Sequence, residues 1–362
     1  IKKYEKLLKL FGVIEMDTLK LEAEKHLKLC NFFSVGPWNK AIYWTYNGLC
    51  WLLATISYVE DDEYDFLAYL GKIKKEQEFE MKSFSNLNLI IGENGTGKTF
   101  LLKAMYAAVK CLEEYQKGDD VRSINEILAE KLRWTFQTDK IGDIVKKSSN
   151  SNLSFEMFMN EYKFAYQFTR DSSTKIINCE NSIGNKQGNS IFIPAKEVLS
   201  LYSIILKSRE IDKSFGFDDT YYDLVKALRI APKVGKNYSA FAQARNMLKS
   251  TIDGNVEFVE DSNKWVYKKG NAKFSIGATS EGVKKISILD RLFANSYLDK
   301  NSFIFIDELE SALHPKAISD MLDMLNIVAH EMDIQIFIAS HSYFVMIDCQ
   351  VKCNKINEKI YK

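Results

Sequence analysis

The chain has 362 residues, 46% of them hydrophobic and 13% aromatic, enough to core two or three compact units; this excludes an intrinsically disordered polymer. A formal net charge of +1 excludes a global electrostatic drive toward nucleic acid or anionic membrane, while leaving local patches open. Six dispersed cysteines (30, 50, 111, 179, 349, 353) and only four histidines (26, 314, 330, 341) argue against a disulfide framework or a zinc knuckle, and for reduced thiols in a cytoplasmic protein.

Residues 1–29 place Leu7, Leu8, Leu10, Phe11, Leu19, Leu21 and Leu27 at about helical spacing among lysines, which predicts one or two amphipathic helices. Ala41 to Val59 then runs 19 residues without a charge. A membrane segment is one reading. Thr45, Asn47, Gly48, Thr55 and Ser57 interrupt the run, so a buried helix or a strand pair suits it better. Residues 1–62 are therefore expected to be an accessory region, mostly helical, whose task the residues do not disclose. Tyr64 to Met81 predicts two short strands around a Lys-rich turn, so a nucleotide-binding head is expected to begin near residue 63.

The apolar run Leu87 to Ile91 leads into GENGTGKT, Gly92 to Thr99, and then into helical spacing from Phe100 to Val109. Strand, glycine-rich turn and helix in this order predict a P-loop. Gly92, Gly95 and Gly97 permit backbone angles that let successive N–H groups, those of Asn94, Thr96 and Phe100 among them, converge on phosphate at a helix N-terminus. Lys98 supplies a point charge for the β- and γ-phosphates, and the Thr99 hydroxyl is placed to ligate Mg²⁺. ATP and Mg²⁺ are the expected ligands.

Leu112 to Lys147 reads as helical and charged, and 152–177 alternates apolar and polar residues as antiparallel strands do, before the turn-rich 178–189. SIFIPA, 190–195, predicts a short buried strand; the polar residue after it is not a clear glutamine, and Lys196 stands there. Residues 196–228 and 241–248 have helical spacing, and 256–275 returns to strand texture with turns at 261–263 and 269–271. In TSEGVKK, 279–285, Ser280 and Gly282 precede a helical run, placing a hydroxyl and free N–H groups at a helix N-terminus. SFIFIDE, 302–308, ends a buried strand in two acids. At the carboxyl edge of an α/β sheet, Asp307 would bind Mg²⁺ and Glu308 would polarise the water that attacks the γ-phosphate. A third strand, 334–339, ends in Ser340 and His341, and the histidine is placed to report the γ-phosphate.

GENGTGKT, TSEGVKK, FIFIDE followed by LESALHP, and ASH, taken in that order, resemble the ABC-type ATPase heads of the SMC, RecF and OLD group. The text is most similar to the AAA-family ATPases of OLD-like anti-phage systems, over about residues 65 to 345. The resemblance implies an α/β fold of the P-loop NTPase type: an ABC-ATPase head with a mixed central sheet, an antiparallel β subdomain and a helical insertion. That head would span 63–347 with the insertion at about 110–275, and a tail would follow at 348–362. It implies ATP hydrolysis by Glu308, His341 and Lys98, with Ser280 and Gly282 touching the γ-phosphate of an opposite protomer. Glu281 departs from the pattern, standing where transporter signatures carry glycine. A homodimer or higher homo-oligomer, acting as the sensor of a defence system with a separate nuclease or toxin effector, is the implied assembly, because no Toprim nuclease follows His341. Nucleic acid stays open as a ligand, and membrane association is not expected. The alternatives are a DNA-repair ATPase of the SMC or RecF type, a transporter subunit, and a nucleotide-locked scaffold. The missing LSGGQ form disfavours the transporter subunit, and the presence of Glu308 disfavours the scaffold.

Overall fold

A four-stranded sheet carries the molecule, in the spatial order 87–91, 335–340, 303–307, 191–193, and every pairing in it is parallel. The strands are β1 (Leu87–Ile91), β5 (Ile191–Ile193), β9 (Phe303–Asp307) and β10 (Gln335–Ser340). The computed structural model describes residue 81 and residues 84–145, 152–232 and 239–353, and all the elements below belong to one compact unit within 82–362. The accessory region at 1–62, the strand pair at 64–81 apart from residue 81, and the part of the 348–362 tail beyond 353 lie outside the described residues, as does the uncharged run at 41–59. Among the described residues no helix is long and apolar enough to cross a membrane.

The strands are short and mostly apolar because helices cover both faces of the sheet, the usual requirement of a parallel sheet. One face is aromatic. Phe192, Phe305 and Phe337 share a register across β5, β9 and β10, and their rings stack. Tyr106 of helix α1 (Lys98–Glu114) closes on Phe192 and Phe305 edge-on, with centroids at 5.6 and 5.9 Å. Each such contact contributes about 0.5–1.5 kcal/mol beyond burial, and together they fix the P-loop helix over the sheet. The opposite face, with Leu89, Ile304, Ile306, Ile336 and Ile338, joins the larger apolar core, which includes Met321, Leu325 and Val328 of helix α7 (Pro315–Met332).

Between these strands lie the remaining elements in chain order. Helix α2 (Ile124–Phe136) opens with a capping box in which Ser123 and Glu126 satisfy one another. The expected single helical stretch from 112 is therefore two helices, broken around Gly118 and ending where Gln137 adopts the left-handed conformation. The antiparallel sheet β2 (Leu153–Met159), β3 (Tyr162–Phe168) and β4 (Asn178–Asn181) packs its inward residues, Phe164, Tyr166 and Phe168, on α1 and α2. Strand β4 lies in the segment read as turn-rich. Its sequence NCEN has no strand pattern of its own and is held by pairing with β3.

Helices α3 (Tyr202–Leu206), α4 (Asp219–Arg229) and α5 (Ser239–Ile252) follow. A second antiparallel sheet then forms from β6 (Asn255–Val259), β7 (Lys264–Lys269) and β8 (Ala272–Ser275), with the turns where the sequence places them. Helix α6 (Glu281–Ala294) begins at Ser280, which accepts the Val283 N–H, and α8 (Tyr343–Cys353) follows β10. The expected mixed central sheet is thus parallel among the described residues, and antiparallel pairing is confined to the two separate sheets.

Candidate functional site

Strand register assembles the site. Ile91 lies opposite Ser340 and Ala339 opposite Asp307, so the P-loop, the acidic pair and His341 leave the sheet at one carboxyl edge. Ligands of open α/β sheets bind at this edge.

The P-loop takes the shape its glycines allow. Gly95 and Gly97 have φ of 80° and 95°, a region that strains other residues, and nothing stands within 4 Å of where their side chains would be. Thr96 donates its hydroxyl to the Glu93 carbonyl at 2.8 Å and sits so close to Gly92 that a methyl there would meet it at 2.7 Å. Gly97 caps α1 without a side-chain bond, so the first N–H groups of the helix, those of Lys98, Thr99 and Phe100, lack intrahelical acceptors. Lys98 lays its ammonium on the Gly92 and Glu93 carbonyls at 2.7 and 2.8 Å. Asn94 is exposed at the loop. The Phe100 ring turns to Phe136 of α2, centroids 4.7 Å apart, while Phe100 stays 44% exposed.

The Thr99 hydroxyl lies 3.0 Å from both carboxylate oxygens of Asp307. Burial raises the Asp307 pKa; the Thr99 hydrogen bond opposes this, and the neighbouring Glu308 adds to it. A hydroxyl and a buried carboxylate converging from the P-loop and β9 form a hard-oxygen donor set of the kind Mg²⁺ uses. The residues present fit nucleotide phosphate and Mg²⁺.

Glu308 follows Asp307 at φ 47°, an uncommon conformation for a side-chain-bearing residue that costs roughly 1–3 kcal/mol. Three contacts hold it. Its N–H donates to the Ala339 carbonyl at 2.9 Å, and its own carbonyl accepts from Ser311 N–H at 3.0 Å and from the Lys285 ammonium of α6. The turn swings the carboxylate off the strand to where Oε1 stands 3.7 Å from His341 Nδ1. Burial depresses Lys285 to about 8, against the pull of Glu310, Asp307 and Glu308.

Lys98, Thr99, Asp307, Glu308 and His341 are thus brought to one place. Ser280 and Gly282 are not on the P-loop of the same chain: the Ser280 oxygen caps α6, and Gly282 packs on the loop after Glu308, where an added methyl would meet the Ala312 carbonyl at 2.8 Å. Lys196 is exposed, and the next residue is the engaged one: Glu197 lies 3.4 Å from the Lys284 ammonium and accepts from Ser200 N–H at 3.1 Å. Two residues of the site went unrecognised in the sequence, Lys285 and Glu310. Lys285 shares a stripe with Ile288, Leu289 and Leu292 (spacing i, i+3, i+4, i+7), and a lysine on an inward stripe is the signal that marks it. Glu310 is simply the third acid of DELE.

The sequence model of the family described as "AAA domain, putative AbiEii toxin, Type IV TA system" matches residues 87–348. No curated protein matches the chain. Among solved structures, an SMC head bound to the C-winged helix domain of ScpA is similar at 13% identity over 73% of this chain and 85% of that one, with a TM-score of 0.43. The SMC head domain from Thermotoga maritima is similar at 16% identity over 74% and 84%, with a TM-score of 0.36. The bacterial ABC transporter cassette MJ0796 is similar at 11% identity over 55% and 89%, with a TM-score of 0.22.

Proposed function

Because the chain belongs to the family described as "AAA domain, putative AbiEii toxin, Type IV TA system" and is an ABC-like P-loop ATPase, we propose that it binds and hydrolyses ATP between two copies of itself and acts as the sensor of an anti-phage system with a separate effector. One observation supports the chemistry above all: Thr99 on Asp307 at 3.0 Å, with Glu308 and His341 beside them at the same sheet edge.

In this reading the N–H groups from Gly95 to Phe100 and the Lys98 ammonium hold the β- and γ-phosphates of ATP. Thr99 and Asp307 would hold Mg²⁺, which when bound neutralises charge developing on the phosphate oxygens. Glu308 accepts a proton from the attacking water, and His341 faces the γ-phosphate. Ser280 and Gly282, seated on the loop after Glu308 rather than on the P-loop, serve the nucleotide of the second copy. ATP binding then closes the pair and hydrolysis releases it. The domain division that goes with this reading is an accessory region at 1–62, a head at 63–347 and a tail at 348–362.

Two outcomes test it. Thr99→Val keeps the shape of the side chain but removes the hydroxyl from the Asp307 pair. It is expected to raise the Mg²⁺ concentration for half-maximal phosphate release by about tenfold or more; an unchanged Mg²⁺ dependence contradicts the assignment. The defence role predicts that the chain expressed in bacteria lowers phage plating, and that Lys98→Ala abolishes the effect. The role fails if plating is the same with and without the chain. Hydrolysis stimulated by DNA with salt-sensitive binding would favour the SMC or RecF type of ATPase instead.

A further inference from the structure

The acidic turn after β9 carries a carboxylate, Glu310, to which the reaction as described gives no task. Its side chain is 11% exposed. One oxygen, Oε1, gathers three groups from the end of β10: it accepts the Ser340 hydroxyl at 2.8 Å and the His341 backbone N–H at 3.2 Å, and it lies 3.3 Å from His341 Nδ1. The other oxygen, Oε2, is buried without a hydrogen-bond partner. Leaving a buried acceptor unpaired costs stability, and packing alone does not require a carboxylate there. The turn is fixed on both sides: Leu313 N–H donates to the Glu310 carbonyl at 3.1 Å, and Ser342 N–H donates to the Ser340 oxygen at 3.0 Å.

His341 Nδ1 therefore faces two carboxylates, Glu310 at 3.3 Å and Glu308 at 3.7 Å. A nitrogen facing acceptors carries the ring proton, which leaves the Nε2 lone pair on the opposite side of the ring. A neutral imidazole in water prefers the other tautomer, with the proton on Nε2, so the carboxylates reverse the ordinary preference. Glu308 is more distant and turns toward the reacting water in the proposed reaction. Glu310 is nearer and anchored by two further hydrogen bonds to the same strand end.

We propose that Glu310 is a positioning residue that fixes the ring angle and the Nδ1–H tautomer of His341, leaving Nε2 as the acceptor nitrogen turned away from the acidic turn. Its consequence for turnover rests on the reading of His341 given above; the ring geometry itself does not. Glu310 touches neither water nor phosphate in this scheme and acts on turnover through the histidine, as carboxylates that accept the free N–H of metal-bound imidazoles do.

The test uses the full chain labelled with ¹⁵N-histidine and no nucleotide, with His341 identified by the ring signals that His341→Gln removes. The wild-type ring is expected to show the Nδ1–H signature, and Glu310→Ala to move it toward Nε2–H. Glu310→Gln keeps the volume while removing the charge, and serves if the alanine variant fails to fold. With ATP and Mg²⁺, both variants are expected to lose about 10- to 100-fold in kcat while KM for ATP changes less than about twofold. A wild-type ring already in the Nε2–H form, or a ring signature unchanged in both variants, overturns the proposal. If the ring responds but no form of the chain hydrolyses ATP, the positioning stands and the ATPase reading falls. If hydrolysis is intact and the ring does not respond, only the positioning falls.

Discussion

Glu308→Gln is expected to lower phosphate release by about 10²- to 10⁴-fold, the range a positioned general base contributes. The substitution is clean. The strained backbone at Glu308 is held through its own N–H and carbonyl by Ala339, Ser311 and Lys285, so none of these contacts depends on the carboxylate. The amide fills the same space beside His341 but accepts a proton far more weakly. Binding residues are untouched, so ATP affinity should remain within about threefold, and the loss should fall on kcat. Phosphate release within a fewfold of wild type would show that another group takes the proton.

Lys131→Ala is expected to destabilise the folded head by about 3–5 kcal/mol, the cost of removing one partner from a buried charge cluster. Lys131 of α2 is 8% exposed and stands 2.8 Å from Glu114 of α1 and 3.3 and 3.4 Å from Asp219 and Asp223 of α4. Burial alone would pull its pKa down, but the three carboxylates outweigh that and hold it charged. The cluster continues outward: Tyr106 donates to Asp223 at 2.8 Å, Arg209 pairs with Asp219, and Arg209 lies over the Trp134 ring at 3.4 Å. Removing Lys131 strips Asp223 and Asp219 of their shared cation where water cannot replace it. Because Glu114 and Tyr106 belong to the P-loop helix, the seat of the site loosens with it. Denaturant unfolding followed by tryptophan fluorescence reads the loss; a change below about 1 kcal/mol would mean the cluster is effectively solvated.

What the sequence made legible is what local chemistry dictates. GENGTGKT reads as a strand-to-helix turn, FIFIDE forms the buried strand ending in acids that its pattern predicts, and Ser280 is the helix cap its spacing predicts. The turns at 261–263 and 269–271 separate β6, β7 and β8 as read. The rest was hidden because it depends on partners far along the chain. Strand β4 is polar and exists through β3; Lys285 acquires its role from Glu308, 23 positions later; Glu310 acquires its role from the end of β10, about 30 positions later. The Lys131 cluster draws on α1, α2 and α4, and each charge by itself looks like an ordinary solvated one. The Phe100 ring packs against Phe136 of α2, a contact that the P-loop helix pattern alone does not reveal.

The most direct test of the central claim, that two copies close around ATP, is the mass of the purified chain in solution with and without ATP and Mg²⁺, for wild type and Glu308→Gln. The account predicts a mass near twice that of the chain when ATP and Mg²⁺ are present, transient in the wild type and persistent in Glu308→Gln, where binding survives and hydrolysis does not. A mass that nucleotide leaves unchanged in both proteins would contradict it, and would leave Ser280 and Gly282 as the cap and packing turn of α6 alone.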